Sequence, residues 1–159
     1  MPVLYTENRD ILDAKEDGIV VPVNCRGVPG AGLALSWANR FPGHAEIYKA
    51  QCNQGQLKLG GPSLLIRGVH YNTATGAPAV SICFATKDNW TETSNLKSIS
   101  SGLKELYAYL NACMAYPGHM KSIAMPKLGC GLGALSWADV HPLIVFWAET
   151  WEGTTVVYL

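Results

Sequence analysis

The chain is short of charge: Asp, Glu, Lys and Arg make up only 15% of its 159 residues, and 12 basic side chains balance 12 acidic ones. Such a molecule has no overall field to draw in nucleic acid or an anionic membrane, so an anionic partner must be held locally. Long unbroken apolar runs are also missing, and the N-terminus has no basic stretch followed by an apolar one. Neither a membrane span nor a secretory signal is expected. The five cysteines are widely spaced, with no C-x-x-C pair and no H-x-x-x-H. That excludes a disulfide framework and a structural zinc site, and predicts free thiols in a cytoplasmic protein. No Gly-Lys-Ser/Thr P-loop and no G-x-G-x-x-G occurs, which removes support for ATPase and dehydrogenase readings. Repeats, low-complexity tracts and linkers are absent too, so one domain over residues 1–159 is expected.

What the sequence has instead is glycine, sixteen in all, set into an alternation of strand and helix patterns. Ile19 to Val23 reads as a buried strand ending at Asn24. The segment Gly27-Val28-Pro29-Gly30-Ala31-Gly32 follows, then helix formers from Leu33 to Asn39 that stop before Phe41-Pro42. A second helix is expected over His44 to Cys52. Ser63 to Arg67 and Ala79 to Phe84 read as an antiparallel pair of strands joined by a turn over Asn72 to Pro78. Leu96, Ile99, Leu103, Leu106, Leu110 and Cys113 recur at steps of three and four, the stripe of an amphipathic helix. Ser122 to Met125 is a further strand, and it too runs into glycines, Leu128-Gly129-Cys130-Gly131-Leu132-Gly133. A last helix carries Val140, Leu143, Ile144 and Trp147 before a strand over Thr154 to Leu159. Asp139 as N-cap places Pro142 in that helix's first turn; Ser136 is the rival cap and puts the proline deeper. The fold class expected is α/β, with helices on both faces of a mixed sheet.

Two glycine loops, each following a strand and entering a helix, expose backbone N–H groups at the positive end of a helix dipole and could clamp a diphosphate. Val23-Asn24-Cys25 followed by Gly30-Ala31-Gly32-Leu33-Ala34, together with Pro126-Lys127-Leu128-Gly129-Cys130-Gly131-Leu132-Gly133 and Trp137, resembles the macrodomain family, whose members bind ADP-ribose. The resemblance runs from Asp10-Ile11 to the last strand and implies a three-layer α/β/α fold. It implies that Asp10 and Ile11 meet the adenine, with Asp10 accepting from the exocyclic amine, and that Asn24 faces the distal ribose. Gly30, Ala31, Gly32 and Leu33, with Gly129, Cys130, Gly131, Leu132 and Gly133, then enclose the diphosphate and distal ribose.

Within the family, Phe84-Ala85-Thr86-Lys87-Asp88-Asn89-Trp90 matches the Thr-Lys-x-x-Trp stretch of the DarG-type branch, which removes ADP-ribose from thymidine in single-stranded DNA. It is related to the terminal ADP-ribose protein glycohydrolase. That resemblance implies a catalytic role for Lys87 beside Thr86, with no metal and no cofactor beyond ADP-ribose itself as ligand or product. An unprotonated lysine attacks C1″ or forms a Schiff base with the open ribose; a protonated one stabilises an anionic leaving group. The protein-directed relative carries an acid where this chain has Gly133, and neither glycine loop contains Asp or Glu, which disfavours a two-carboxylate glycosidase. Trp90, on an expected loop at the site mouth, and Tyr158, on the last strand, could stack on a nucleobase or the adenine.

Cys130 reads as a small buried residue, the four histidines as surface or cap residues, and Trp37, Trp147 and Trp151 as helical core positions. The implied partners are ADP-ribose, ADP-ribosylated single-stranded DNA and a DNA ADP-ribosyltransferase toxin, with no membrane. A reader module that binds ADP-ribose without cleaving it, and a hydrolase acting on ADP-ribosylated protein acids or small ADP-ribose derivatives, are the alternatives.

Overall fold

The computed structural model describes residues 3–71 and 78–159. The expected turn over Asn72 to Pro78 therefore lies almost wholly outside the described residues. Six strands form one sheet: β1 (Val3–Thr6), β2 (Gly18–Asn24), β3 (Leu64–Tyr71), β4 (Pro78–Lys87), β5 (Ser122–Met125) and β6 (Thr154–Tyr158). Their order across the sheet is β1-β6-β5-β2-β4-β3. All neighbours are parallel except β3 and β4, which pair antiparallel as the sequence predicts.

Alternation along the central strands sorts side chains to two faces. Ile19, Val21 and Val23 of β2 and Cys83 and Ala85 of β4 share one core with Trp37, Tyr48 and Phe41. Val20, Ile82 and Phe84 point the other way, into a core with Leu103, Leu106 and Ile144, as a period of two demands. The first core is covered by α1 (Gly32–Arg40), α2 (Pro42–Asn53) and a 3-10 turn (Ile11–Asp13). The second is covered by α3 (Leu96–Cys113) and α4 (Trp137–Ala148). Sheet faces covered on both sides explain why the central strands read as continuous apolar runs.

Leu103, Leu106 and Leu110 on α3 are at most 1% exposed, and burying each contributes roughly 1.5–3 kcal/mol. Gly102 sits in the same stripe because a Cβ there would lie 2.6 Å from the Phe84 ring. A polar chain crosses the first core. The Trp37 indole N–H donates to Ser81 Oγ at 2.9 Å, and Ser81 Oγ lies 2.7 Å from Nδ1 of fully buried His44, whose Nε2 is 2.5 Å from the Gly68 carbonyl. A carbonyl can only accept, so Nε2 carries the proton and Nδ1 accepts from the serine hydroxyl.

Four expectations need correction. His44 is a core residue and not a surface or cap one, because its two nitrogens are both used inside the first layer. The last helix starts at Trp137 with Ser136 as its cap, the Ser136 hydroxyl accepting from Ala138 N–H, and Pro142 lies inside it. Trp151 is core, but it stands past the end of α4. Finally, β4 runs three residues beyond Phe84, so Thr86 and Lys87 close a strand.

Candidate functional site

The carboxyl ends of β5, β2 and β4 stand side by side, with β2 in the middle. The chain leaves β2 toward α1 on one face of the sheet, whereas it leaves β4 and β5 toward α3 and α4 on the other. Exits that diverge in this way open a crevice beyond the strand ends. It has a volume of about 690 Å³, and Asn24, Thr86, Lys87 and Trp90 line it together with both glycine loops.

The placement of Lys87 comes from a register slip. Val23 pairs with Ala85, but the next residue, Asn24, pairs with Lys87, so Thr86 is the extra residue of a bulge. Bulges re-aim side chains, and this one brings Lys87 abreast of Asn24. The Cys25 N–H, bonded to the carbonyls of both Lys87 (3.2 Å) and Asp88 (3.0 Å), fastens the two strand ends together. Lys87 Nζ donates to the Leu132 carbonyl at 3.2 Å, tying β4 to the second glycine loop.

Asn24 shapes the first loop. Its amide donates to the Val28 carbonyl at 2.7 Å, and its Oδ1 accepts from the N–H groups of Arg26 and Val28 at 3.0 and 3.3 Å. Tyr48 donates its hydroxyl to the Asn24 carbonyl at 2.6 Å; burial pushes the phenol's pKa up, which keeps it a donor. The loop then delivers Gly30, Ala31, Gly32 and Leu33 to the cleft wall. Ala31 caps α1 without a side-chain bond, and no acidic residue occupies the first turn. The first-turn N–H groups therefore face the cleft without a side-chain acceptor, at the positive end of the helix dipole.

The second loop is held by its own backbone. The N–H groups of Leu135 and Ala134 bond to the Gly129 and Gly131 carbonyls at 2.8 and 3.0 Å, and Ser94 N–H reaches the Gly133 carbonyl at 3.0 Å. Gly129 has a φ of 72°, which favours glycine. A Cβ on Gly133 would fall 2.5 Å from both the Gly129 carbonyl oxygen and Ser94 Oγ. An acidic side chain at this position does not fit the loop as it stands.

Among the described residues, Lys87 and Lys127 are the charged ones on the lining, and no carboxylate or imidazole joins them. Trp90 and Leu132, 55% and 67% exposed, are open at the cleft. Gly129, Gly131, Leu132 and Gly133 lie on its wall, but Asp10, Ile11, Cys130 and Tyr158 do not. Asp10 Oδ1 instead accepts from Leu12 N–H at 2.9 Å, starting the 3-10 turn, and Ile11 is buried in the first core. Tyr158 packs against that core and donates to Glu16 Oε1 at 2.6 Å; burial, then Glu16, raises its pKa. Cys130 donates its thiol to the Leu128 carbonyl, and burial pushes the thiol's pKa up, against use as a nucleophile. All five cysteines are free. Among the described residues no group of three or more His, Cys, Asp or Glu side chains could hold a metal ion, and no helix is long and apolar enough to cross a membrane. Lys127 was not singled out from the sequence, although its place directly between a strand end and a glycine loop was the available signal.

The family model of the Macro domain matches residues 20–144. The chain belongs to the macrodomain family. Two curated relatives carry the same activity in their names. The DNA ADP-ribosyl glycohydrolase of Thermus aquaticus is 32% identical over 92% of this macrodomain and 38% of its own length. A Thermosipho africanus protein named as a DNA ADP-ribosyl transferase–DNA ADP-ribosyl glycohydrolase fusion is 30% identical over 94% of this chain and 40% of its own. This chain thus spans about two fifths of the length of the curated relatives it matches. Among solved structures, the macrodomain of Mycobacterium tuberculosis DarG superposes with a TM-score of 0.85 at 29% identity, covering 98% of this chain and 96% of that one. Thermosipho africanus DarTG in complex with ADP-ribose gives 0.84 at 28%, covering 98% and 41%. The α/β macrodomain fold with its mixed six-stranded sheet follows from both the strand order and these likenesses.

Proposed function

We propose that this macrodomain is an ADP-ribosyl glycohydrolase that holds ADP-ribose in the cleft and releases it from thymidine in single-stranded DNA, with Lys87 as the catalytic residue. One observation carries the reading: among the described residues the lining of the cleft holds two lysines and no carboxylate, and one of them, Lys87, is brought by the β4 bulge to the end of β2. Two-carboxylate glycoside hydrolysis has no groups to run on there. The names of the relatives, and the ADP-ribose held by a structural neighbour, support the same activity.

In this reading the diphosphate lies between the N-terminus of α1 and the second glycine loop, which offer N–H groups in place of counter-charges. The distal ribose lies over Asn24 and Lys87, and Trp90 stacks on the base at the mouth. Asp10, Ile11 and Tyr158 complete the site beyond the cleft on the adenine side. The lone pair of Lys87 Nζ attacks C1″; the C1″–base bond breaks, its electron pair leaves with the thymine base, and the base takes up a proton. Water then displaces the lysine nitrogen from C1″, freeing ADP-ribose and the amine. The transferase fused to one relative supports a DNA ADP-ribosyltransferase as the partner whose mark is removed.

A second reading, an ADP-ribose reader, draws on the bond from Lys87 to the Leu132 carbonyl, which lets the lysine serve as a tie between loops. Protein-acid hydrolysis is disfavoured by the crowding at Gly133. The deciding experiment follows ADP-ribose release from a thymidine-modified oligonucleotide and from a glutamate-modified protein. Wild type is expected to act on the oligonucleotide, and Lys87→Ala to bind ADP-ribose but release none. Turnover undiminished in Lys87→Ala would sink the lysine mechanism, and binding with release from neither substrate would leave the reader.

A further inference from the structure

The cleft does not end at the first glycine loop. Beyond a rim made by Val28 and Gly30 lies a second groove of about 280 Å³, bordered by α1 and α2 and sharing those two residues with the cleft. Val28 and Leu35, 39% and 41% exposed, belong to the few large aliphatic side chains left open on the surface, and both line this groove. Asn39, Glu46 and Lys49 supply its polar groups. Apolar surface gathered beside a binding cleft and rimmed by polar residues marks a place where something docks.

We propose that this groove takes the nucleotide next to the modified thymidine, so that the enzyme grips its strand as well as its ADP-ribose. The inference rests on the DNA reading above and adds a subsite to it. Continuity supports it: the Val28 carbonyl is bonded directly to the Asn24 amide, and Asn24 is abreast of Lys87. A strand leaving the reaction centre on this side meets the rim first and the groove next. The chemistry matches one nucleotide. Aliphatic walls suit a base face or sugar, Asn39 offers a donor and an acceptor to a base edge, and Lys49 offers one cation to a phosphate. Among the described residues, Glu46, one turn before Lys49 on the same helix, is the groove's other charged residue and is acidic, so the groove has no second cation for a longer run of phosphates.

The test compares affinities for ADP-ribosylated thymidine and for an oligonucleotide carrying the same group with nucleotides on both sides. Displacement of fluorescent ADP-ribose is read in the Lys87→Ala background, so that turnover does not consume the ligand. The oligonucleotide is expected to bind about tenfold tighter. Asn39→Ala and Lys49→Glu, both at exposed positions of the groove away from the diphosphate, are expected to remove that gain without changing affinity for the nucleoside. Lys49→Glu should also lower the slope of log affinity against log salt by about 0.7. No gain from the flanking nucleotides, a gain that survives both substitutions, an equal loss for the nucleoside, or a comparable groove-dependent gain for a glutamate-modified peptide each overturns the proposal. Release from the oligonucleotide by wild type is scored separately, so failure of the DNA reading and failure of the subsite remain distinguishable.

Discussion

At the scale of single residues, two positions illustrate how little of this site is replaceable. Gly133 is fixed by crowding, since its Cβ position is already occupied on two sides. Gly133→Asp is expected to cost about 1–3 kcal/mol of stability by overpacking and to weaken ADP-ribose binding; thermal unfolding and calorimetric titration read the two effects. Asn24 is fixed by hydrogen bonding, because its amide satisfies groups on Arg26 and Val28 that are otherwise left unpaired. Asn24→Ala is expected to destabilise the fold by about 1–3 kcal/mol, and Asn24→Asp, which retains the acceptor, by less; chemical denaturation separates them. Much of this was readable in advance: the Thr86-Lys87 pair and both glycine loops do line one cleft. What could not be read is that a one-residue bulge, which no composition or period encodes, sets the aim of Lys87. The polar duties of Asn24 toward its own loop were equally hidden, because an Asn at a strand end looks alike whether it faces a ligand or a turn.

Among the elements, α4 and the first core carry the clearest expectations. Pro142 sits six residues into α4, where it lacks the N–H that would bond to the Ala138 carbonyl. Pro142→Ala is therefore expected to raise the melting temperature, by an amount corresponding to about 1 kcal/mol or more; a lower melting temperature would show that the proline fixes a bend the packing needs. Ser81→Ala strands the Trp37 indole N–H inside the core and removes the hydroxyl that bonds to His44 Nδ1. Its expected cost is about 2–4 kcal/mol in denaturant unfolding, far beyond what a lost hydroxyl at the surface would give. The elements themselves were legible because short β-branched runs and the 3.6-residue period differ so plainly here, as in Ile19-Val20-Val21 against the Ile99-Leu103-Leu106 stripe. The start of α4 was misjudged because a proline's preference for the first turn is weaker than the combined pull of the Ser136 cap and the packing of Val140 and Ile144. Nothing in the sequence around His44 announces a buried chain, since its partner Ser81 arrives from a strand far along the polypeptide.

For the whole molecule, zero net charge turns into a measurable property. With no carboxylate or imidazole among the described residues of the cleft lining, affinity for free ADP-ribose is expected to vary less than about twofold between pH 5.5 and 8, as calorimetry at several pH values would show. A steep fall in that window would mean that a titrating group outside the lining shapes the site. The direction of the strands has a practical side as well. Five of the six strands run the same way, so the polypeptide enters β1 at the pole opposite the cleft and departs from β6 at the cleft's own pole. Cargo attached behind Leu159 would stand beside the substrate's entrance, where it could shade or recruit a DNA strand. Cargo attached ahead of β1 would hang from the far side and leave that approach clear, which makes the amino end the natural handle for immobilising or labelling this protein.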